Sequence, residues 1–498
     1  MEKLKSLNSF ITTSRVSMIT FIFLAMAPIV VIWYAMYIYN FNNIDSIFLY
    51  IIQIVADTIA MMILMGLWLT ILLDVVVERH HRVQKTYNEK NFFAKKPTVD
   101  VFITVYGEPL GIIRKTIEAT KAMKYKHSTI ILDDGHSSGV KKLAMELGVE
   151  YIARSKNINA KAGNINNALK FFKAEFFVLL DADHIPQETF LTTLLPYMAD
   201  QKLAMVQSPQ SFSNINNFIA SGTAQAQDVF YRYICPAKNI TNSAFSVGTN
   251  VIYRRKAIDE IKGMAISNSE DIWTTFLLHK NNWRTVFVNK VLAVGLAPDA
   301  IIPFFKQQRR WAKGGMEILL ENNPLYSASL ELDQKIQYFI STSFFLVGIP
   351  ILIYIVMPII FLLFGSKPLL ITDGSVWLLH YLPYFILYFA LTWLLLGQKI
   401  KISTMATALA SFYPYLMGLF SVIFSTEEQW VATESRQSSI DPVMKWIWPH
   451  ILLLMLSISS LIIGWYNVVE FWATLFNSMW VALNVFLLLT FLSKSKFK

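Results

Sequence analysis

The stretch Phe176-Phe177-Val178-Leu179-Leu180-Asp181-Ala182-Asp183 indicates the fold class most directly. Five consecutive apolar residues without polar alternation predict a strand that is buried on both faces, as in a parallel sheet covered by helices. Two carboxylates follow where this strand ends. Because ligands of open α/β sheets bind beyond the carboxyl ends of the strands, the stretch predicts an α/β domain with an acidic site at one sheet edge.

The preceding sequence repeats a pattern of strand followed by helix. Strands are predicted at Val99–Val105 and Ser128–Leu132 and, more briefly, at 149–153. Helices are predicted at 137–147 and 161–173. This alternation is typical of a mainly parallel, doubly wound sheet.

This block lies in a chain that is too apolar to be soluble. Of the 498 residues, 54% are hydrophobic and 16% are charged, which excludes a wholly soluble enzyme and a disordered protein. The single cysteine, Cys235, excludes an internal disulfide and a cysteine-based zinc site. The net charge of +10 is explained by Lys and Arg beside anionic lipid on the cytoplasmic side, so we predict no nucleic-acid partner.

Apolar runs flank the block on both sides. They lie at about 16–39 and 47–73 before it, and at 336–366, 374–398, 402–426, 446–469 and 471–493 after it. Basic residues near the N-terminus, after the second run and at the C-terminus predict that all three regions are cytoplasmic. This requires two crossings before the block and four after it, so we predict that 402–426 is an interface helix. If it is another span, the basic C-terminus lies outside.

Asp57 interrupts the second apolar run. It lies either near the outer end of its span or inside the membrane as a buried ionisable group that faces a path. Intramembrane carboxylates are usually functional, but the sequence alone leaves both alternatives open.

Three acidic clusters and one basic, aromatic motif offer chemistry to a site. Asp181 and Asp183 suit a divalent cation that bridges a diphosphate, and Asp133-Asp134 can accept hydrogen bonds from a base or ribose. Ser269-Glu270-Asp271 opens a helix and offers a carboxylate that could take a proton from a hydroxyl. Gln307-Gln308-Arg309-Arg310-Trp311 combines guanidinium for phosphate with indole for a sugar face. Singly, each also fits a helix cap or a membrane-interface anchor.

Taken in order, these motifs resemble the processive, membrane-embedded inverting glycosyltransferases of family 2, the group of the cellulose, hyaluronan and chitin synthases. The similarity runs from about residue 97 to 320 and is closest to the bacterial cellulose-synthase branch. Its motifs are Asp133 to Gly135, Lys161 to Asn166, Asp181 to Pro186, Val206 to Gln210, Gly248 to Asn250 with Arg254-Arg255, Ser269 to Asp271, and Gln307 to Trp311. The resemblance implies a cytosolic GT-A domain, Rossmann-like with a mainly parallel sheet, inserted between two N-terminal and about four C-terminal transmembrane helices.

The resemblance also implies a role for each motif residue. The expected nucleotide-sugar-binding residues are Asp133, Asp134, Lys161, Asp181, Gln307 and Arg310. Asp183, with Asp181, is expected to hold Mg²⁺ or Mn²⁺. Asp271 resembles the general base, with Glu270 beside it, and Ser269 replaces the threonine that is usual in the family. The expected acceptor-binding residues are Trp311, Gly248 and Thr249.

A partial similarity lies in 430–436, Trp-Val-Ala-Thr-Glu-Ser-Arg, which looks like the gating loop of cellulose synthases. Thr433 matches the loop's threonine, Trp430 stands for its aromatic residue, and Arg436 lies one place beyond its basic position. Such a loop must face the cytosolic active site, which also favours an interface helix at 402–426.

The expected domain organisation has five parts. They are two transmembrane helices in 1–77, the cytosolic GT-A domain in 78–325, a transmembrane pair in 326–398, an interface helix with the gating-like segment in 399–440, and a second transmembrane pair with a basic tail in 441–498. The sequence stops shortly after its last predicted span, so we expect no C-terminal cyclic-di-GMP receptor domain of the kind attached to many bacterial cellulose synthases.

The implied reaction polymerises sugar from a UDP-sugar with inversion and moves the polysaccharide across the plasma membrane. Cellulose-type motifs favour UDP-glucose and a β-glucan, while UDP-N-acetylglucosamine or a copolymer stays open. The alternatives are a non-processive glycolipid glycosyltransferase and, least favoured, a catalytically inactive polysaccharide conduit. The expected partners are the UDP-sugar, the growing polysaccharide and the lipid bilayer; accessory or homo-oligomeric subunits are left open.

Overall fold

The computed structural model describes residues 16–78, 89–371, 374–425, 442–468 and 470–497. The gating-like residues Trp430, Thr433 and Arg436 lie outside these ranges, so their assignment stays a prediction.

The central block folds around a seven-stranded sheet. The strands in the described ranges are β1 (Val99–Val105), β2 (Ser128–Asp133), β3 (Glu150–Ile152), β4 (Phe176–Asp181), β5 (Ile185–Pro186), β6 (Leu203–Gln207), β7 (Val251–Arg254), β8 (Arg284–Phe287) and β9 (Ala293–Val294). The main sheet has the order β3-β2-β1-β4-β7-β6-β8, and β5 pairs separately with β9. Only β7 runs antiparallel to its neighbours in the main sheet, so the predicted mainly parallel α/β fold is confirmed.

Helices cover both faces of this sheet. They are preceded by α1 (Met18–Ile38) and α2 (Ile47–Glu78). The helices of the block and its approach are α3 (Glu89–Ala94), α4 (Leu110–Lys121), α5 (Ser138–Glu146), α6 (Ala160–Phe171), α7 (Phe190–Leu194), α8 (Phe218–Val229), α9 (Cys235–Ala237), α10 (Arg255–Glu260), α11 (Glu270–Lys280) and α12 (Ile301–Glu321). Alternate residues of β1 enter two separate apolar cores: Val101 and Ile103 pack on one face and Phe102 on the other. Because β1 is buried on both sides, five of its seven residues are apolar, and the exceptions are Asp100 and Thr104.

Register brings the acidic strand ends together. Val105 at the end of β1 lies beside Asp133 of β2, and Thr104 lies beside Asp181 of β4. Both acidic clusters therefore meet at one edge of the sheet, on either side of the end of β1.

Seven helical stretches in the described residues are long and apolar enough to cross a membrane. The helices that form them are α1 (Met18–Ile38), α2 (Ile47–Glu78), α13 (Leu332–Ser343), α14 (Gly348–Phe364), α15 (Gly374–Leu395), α16 (Ile402–Ala410), α17 (Phe412–Ile423), α18 (Val443–Tyr466) and α19 (Phe471–Lys494). The pairs α13–α14 and α16–α17 each form one stretch. Two stretches precede the α/β domain and five follow it, which indicates a membrane protein.

The α1–α2, α14–α15 and α18–α19 connections lie together, at the end of the helix bundle that is remote from the α/β domain. The α1–α2 connection bonds to the α14–α15 connection through the amide of Leu370 and the carbonyl oxygen of Asn43, 2.7 Å apart. Lys367 of the same connection pairs with Glu470, between α18 and α19, at 2.6 Å. The helices α1, α14 and α18 therefore end at this side of the bundle, and α2, α15 and α19 return from it.

The stretch formed by α16 and α17 bends at Ser411 and packs on helices of the α/β domain. Gly222 of α8 lies against the backbone of Ser403, where an added Cβ would be 2.5 Å from the carbonyl oxygen. Gly418 of α17 is equally close to α12, with an added Cβ 2.6 Å from that of Ala312. These approaches hold α16 against α8 and α17 against α12.

Asp57 is buried within the bundle, at 3% exposure. Its carboxylate accepts hydrogen bonds from the Tyr354 hydroxyl at 2.7 Å and the Gln53 amide at 3.0 Å. It lies ten residues into α2, about 15 Å along the helix axis. Of the two alternatives for this residue, the structure favours the buried one.

Candidate active site

Asp181, Asp183 and His184 form a compact group after β4. Their ligand atoms lie within 4.8 Å of one another. The Asp183 carboxylate contacts the His184 imidazole at 2.9 Å and accepts a hydrogen bond from the backbone amide of Leu296 at 3.2 Å. The imidazole is packed tightly, because a Cβ added at Gly295 would lie 2.5 Å from its ring. Asp181 and Asp183 are thus held at fixed positions beside a buried histidine.

The donor set of this group fits a divalent cation. Two carboxylates suit hard ions such as Mg²⁺ and Mn²⁺. The Nε2 atom of His184 is buried without a hydrogen-bond partner in the described residues, so the group has an unused polar atom. Burial opposes protonation of His184, but the charges of Asp183 and Asp181 outweigh it and raise its pKa.

Lys161 links this group to the neighbouring backbone. Its amine pairs with the Asp181 carboxylate and donates a hydrogen bond to the carbonyl oxygen of Gly248 at 2.9 Å. Thr249, predicted to contact the acceptor, is fully buried, and its hydroxyl accepts a hydrogen bond from the Asp181 amide at 2.9 Å. Gly248 and Thr249 therefore support Asp181 and Lys161 in this structure, and their acceptor role stays a prediction.

Asp271 lies in the first turn of α11 and faces the same space. A Cβ added at Gly248 would be 3.2 Å from its Oδ2 atom, and the φ angle of +86° at Gly248 further disfavours any other residue. Burial and the adjacent charge of Glu270 raise the pKa of Asp271 to about 7, although Lys161 and Arg310 oppose the shift. A carboxylate with this pKa is suited to taking up a proton near neutral pH.

Helix α12 brings the Gln-Gln-Arg-Arg-Trp motif to the site. Arg310 interacts electrostatically with both Asp181 and Asp271. The Oε1 atom of Gln307 is buried and has no hydrogen-bond partner among the described residues, so it is available to a ligand. Trp311 is half-buried on the same helix.

The approach of α12 to α11 depends on Gly314. A Cβ at this position would lie 1.9 Å from the Ser269 hydroxyl, so only glycine permits the contact. Nearby, Glu317 accepts a hydrogen bond from the Asn268 amide at 2.6 Å. These contacts fix the motif helix against the residues that precede Asp271.

The Asp133-Asp134 pair divides into two environments. The Asp133 carboxylate is fully buried and accepts hydrogen bonds from the backbone amides of Gly135 and Ser137 and from the Tyr151 hydroxyl. Asp134 instead pairs with Arg154 through both carboxylate oxygens, at 2.7 and 2.6 Å, and lines a cavity. Of the two acids, Asp134 is therefore the one positioned to contact a ligand in that cavity.

The cavity has a volume of about 790 Å³, large enough for a nucleotide. Its lining includes Tyr106, Asp134 and Asn157, together with Trp273 of α11 and Glu317 of α12. Asp134 after β2, the helix that contains Asp271 and the motif helix thus all contribute residues to the lining of this cavity.

Sequence reasoning missed three residues near this region. Arg154 lies 20 positions from its partner Asp134, and no local pattern predicts the pairing. His184 follows the aspartates directly, so its position was a usable signal. Glu108 comes shortly after β1, and an acidic residue at a strand end is again a sequence signal of a site residue. Burial raises the pKa of Glu108 to about 7, and the charges of Asp183 and Asp181 add to this shift.

Comparisons with known proteins agree with the motif analysis. Residues 176–416 match the family model described as Glycosyl transferase family group 2. The chain is 34% identical over 283 residues to a cellulose synthase catalytic subunit (UDP-forming) of Pseudomonas fluorescens strain SBW25, over 54% of this chain and 38% of the relative. Cellulose synthase 1 catalytic subunit (UDP-forming) of Komagataeibacter xylinus is 34% identical over 281 residues, with the same two coverages. The matches thus span well under half the length of these relatives.

Structural comparison supports the fold. A mannosyltransferase of Pyrobaculum calidifontis, solved with GDP-Man and Mn²⁺, superposes with a TM-score of 0.54 at 13% sequence identity. The superposition covers 76% of this chain and all of the other. The predicted resemblance to family 2 glycosyltransferases, including bacterial cellulose synthases, is confirmed over the matched stretches.

Proposed function

We propose that this chain is a processive, inverting glycosyltransferase that builds a polysaccharide from a UDP-sugar and passes it through the plasma membrane. The observation that carries the proposal is the convergence of Asp181, Asp271 and Arg310. Asp181 and Asp183 offer a pair of carboxylates for a metal. The Arg310 guanidinium interacts with Asp181 and with the buried carboxylate of Asp271, whose pKa is about 7. A nucleotide-sized cavity lies nearby.

The donor binds in the cavity beside Asp134. Asp134 accepts a hydrogen bond from the base or ribose, while Lys161 and Arg310 attract the diphosphate. Asp181 and Asp183 would hold Mg²⁺ or Mn²⁺, which supplies charge neutralisation at the departing diphosphate when bound. Arg310 stabilises the same negative charge as it develops.

Asp271 acts on the acceptor. Its carboxylate takes the proton of the sugar hydroxyl as that oxygen attacks the anomeric carbon and the bond to UDP breaks. A single displacement of this kind inverts the anomeric centre and forms no covalent sugar–enzyme intermediate. Trp311 provides a flat apolar surface for the terminal acceptor sugar. Gln307 serves the donor instead, since its Oε1 atom, which has no hydrogen-bond partner among the described residues, is available to the nucleotide-sugar.

The packing of α16 and α17 supports an interface position for 402–423. Helix α16 lies against α8 and α17 lies against α12, and the carbonyl oxygen of Lys496, near the C-terminus, accepts a hydrogen bond from the amide of Ile301 at the start of α12. With this arrangement the domain and the basic C-terminus share the cytosolic side. The remaining helices enclose the route by which the polymer leaves.

UDP-glucose is the proposed donor, since cellulose synthases are the relatives at 34% identity. The test is a panel of radiolabelled UDP-sugars on the purified protein in nanodiscs, followed by digestion of the product with linkage-specific glycanases. We expect incorporation from UDP-glucose and cleavage by a β-glucanase. Preferential use of UDP-N-acetylglucosamine, or a product resistant to β-glucanase, would refute the choice of sugar.

A further inference from the structure

Arg154 has four hydrogen-bonding interactions at the nucleotide end of the site, although no motif includes it. Its Nε and Nη2 atoms donate to the two carboxylate oxygens of Asp134, at 2.7 and 2.6 Å. Nη2 also donates to the carbonyl oxygen of Ala160 at 2.7 Å, and Nη1 donates to that of Ile158. The side chain is 8% exposed, so these contacts are shielded from water.

Two of these contacts hold an unfavourable turn. Asn159 and Ala160 have φ angles of +62° and +43°, so two successive residues other than glycine adopt left-handed backbone. Asparagine tolerates this conformation, but alanine does not favour it. Arg154 fixes the carbonyl oxygens on both sides of Asn159, and the turn ends where α6 begins, one residue before Lys161.

The same turn explains the glycine of the lysine motif. A Cβ added at Gly163 would lie 2.1 Å from the carbonyl oxygen of Ile158 and 2.4 Å from the Arg154 guanidinium. Helix α6 can therefore pack against the Arg154 side chain only because residue 163 is glycine. Asn159 and Ala160 also line the 790 Å³ cavity, so the turn is part of its wall.

We propose that Arg154 is a positioning residue for nucleotide recognition: it orients the Asp134 carboxylate and holds the turn that places Lys161. The guanidinium does not itself line the cavity in this structure, so it acts through these two residues. This inference rests on the proposed function, because it assumes that Asp134 and Lys161 bind the nucleotide.

The experiment measures the affinity of the protein in nanodiscs for UDP alone, by calorimetry, and the KM and kcat for UDP-glucose. Lysine keeps the charge but cannot form the forked contacts. We expect Arg154→Lys to weaken UDP binding and raise KM by about tenfold, with a smaller change in kcat, because contacts that position a charged group are lost.

The matched control is Arg254→Lys. Arg254 is also buried and donates to the carbonyl oxygens of Leu203, Met198 and Asp200, but it lies beside Phe176, at the start of β4 and away from the site. We expect it to lower thermal stability to a similar extent and to leave UDP affinity unchanged. Equal UDP affinity in wild type and Arg154→Lys would overturn the inference.

If Arg154→Lys does not fold, a second variant tests the positioning role of Arg154. Gly163→Ala keeps Arg154 but pushes a methyl group into the turn, so we expect it to weaken UDP binding as well. Unchanged UDP binding in Gly163→Ala would contradict the inference. If wild type itself does not bind UDP, the proposed function fails instead, which keeps the two failures apart.

Discussion

The backbone amide of Ile301 donates a hydrogen bond to the carbonyl oxygen of Lys496 at 2.9 Å. Ile301 opens α12, the helix that carries Arg310, and Lys496 follows the last apolar helix. The C-terminal residues therefore lie at the same side of the bundle as the α/β domain, while Glu470 lies at the opposite side with Lys367.

This contact leads to a prediction about topology. In a Cys235→Ala background, Phe497→Cys should react with a membrane-impermeant maleimide only after cells are permeabilised. Asn467→Cys, in the connection between α18 and α19, should react in intact cells and serves as the control. Labelling of Phe497→Cys in intact cells would contradict the placement of the C-terminus beside a cytosolic α/β domain.

Asp271→Asn tests the base. The amide cannot accept the proton, so we expect kcat to fall by a factor of about 10³, within the usual range for a general base. UDP binding should persist, because the change leaves Asp134 and Lys161 in place. Asp259→Asn is the matched control, since Asp259 is an exposed acid paired with Arg255. Undiminished turnover in Asp271→Asn would refute the assignment.

The pH dependence of kcat/KM should report the same carboxylate. Because the base is active when deprotonated and its pKa is raised to about 7, activity should rise with pH through about 7 and then level off. Glu270→Gln removes a like charge, so the pKa of Asp271 should fall and the rising limb should move to lower pH. A limb that stays in place would mean that another group controls it.

Metal binding should depend on Asp183. We expect Asp183→Asn to weaken Mn²⁺ binding, followed by electron paramagnetic resonance, by at least about tenfold, since one charged ligand is lost. Asp200→Asn, which alters an acid paired with Arg284 away from the site, should bind Mn²⁺ like wild type. Polymer synthesis that continues in excess chelator would argue against a metal at this position.

The sequence predicted the strands and the acidic edge well for a physical reason. A strand buried on both faces is mainly apolar, and the carboxylates that follow Leu180 and Leu132 are placed by the sheet itself. The direction of β7 could not be predicted from the sequence. This strand runs antiparallel between β4 and β6, and a short apolar run does not indicate the direction in which a strand runs.

Polar contacts between residues far apart in the chain also could not be predicted from the sequence. Arg154 resembles any loop arginine until folding brings it to Asp134. Lys238 is a clearer case, because lysine is seldom buried, yet it is 1% exposed and donates to the side-chain and backbone oxygens of Gln337 at 3.1 and 3.2 Å. Burial lowers its pKa to about 7. Such contacts depend on tertiary structure that no local pattern encodes.

The most direct test of the central claim is the length of the product. Purified protein in nanodiscs is supplied with radiolabelled UDP-glucose, and UDP release and product size are measured together. We predict a polymer of high molecular weight, with one UDP released per sugar incorporated, and no polymer from Asp271→Asn. A product that carries a single added sugar, with UDP release in the same amount, would contradict processive synthesis.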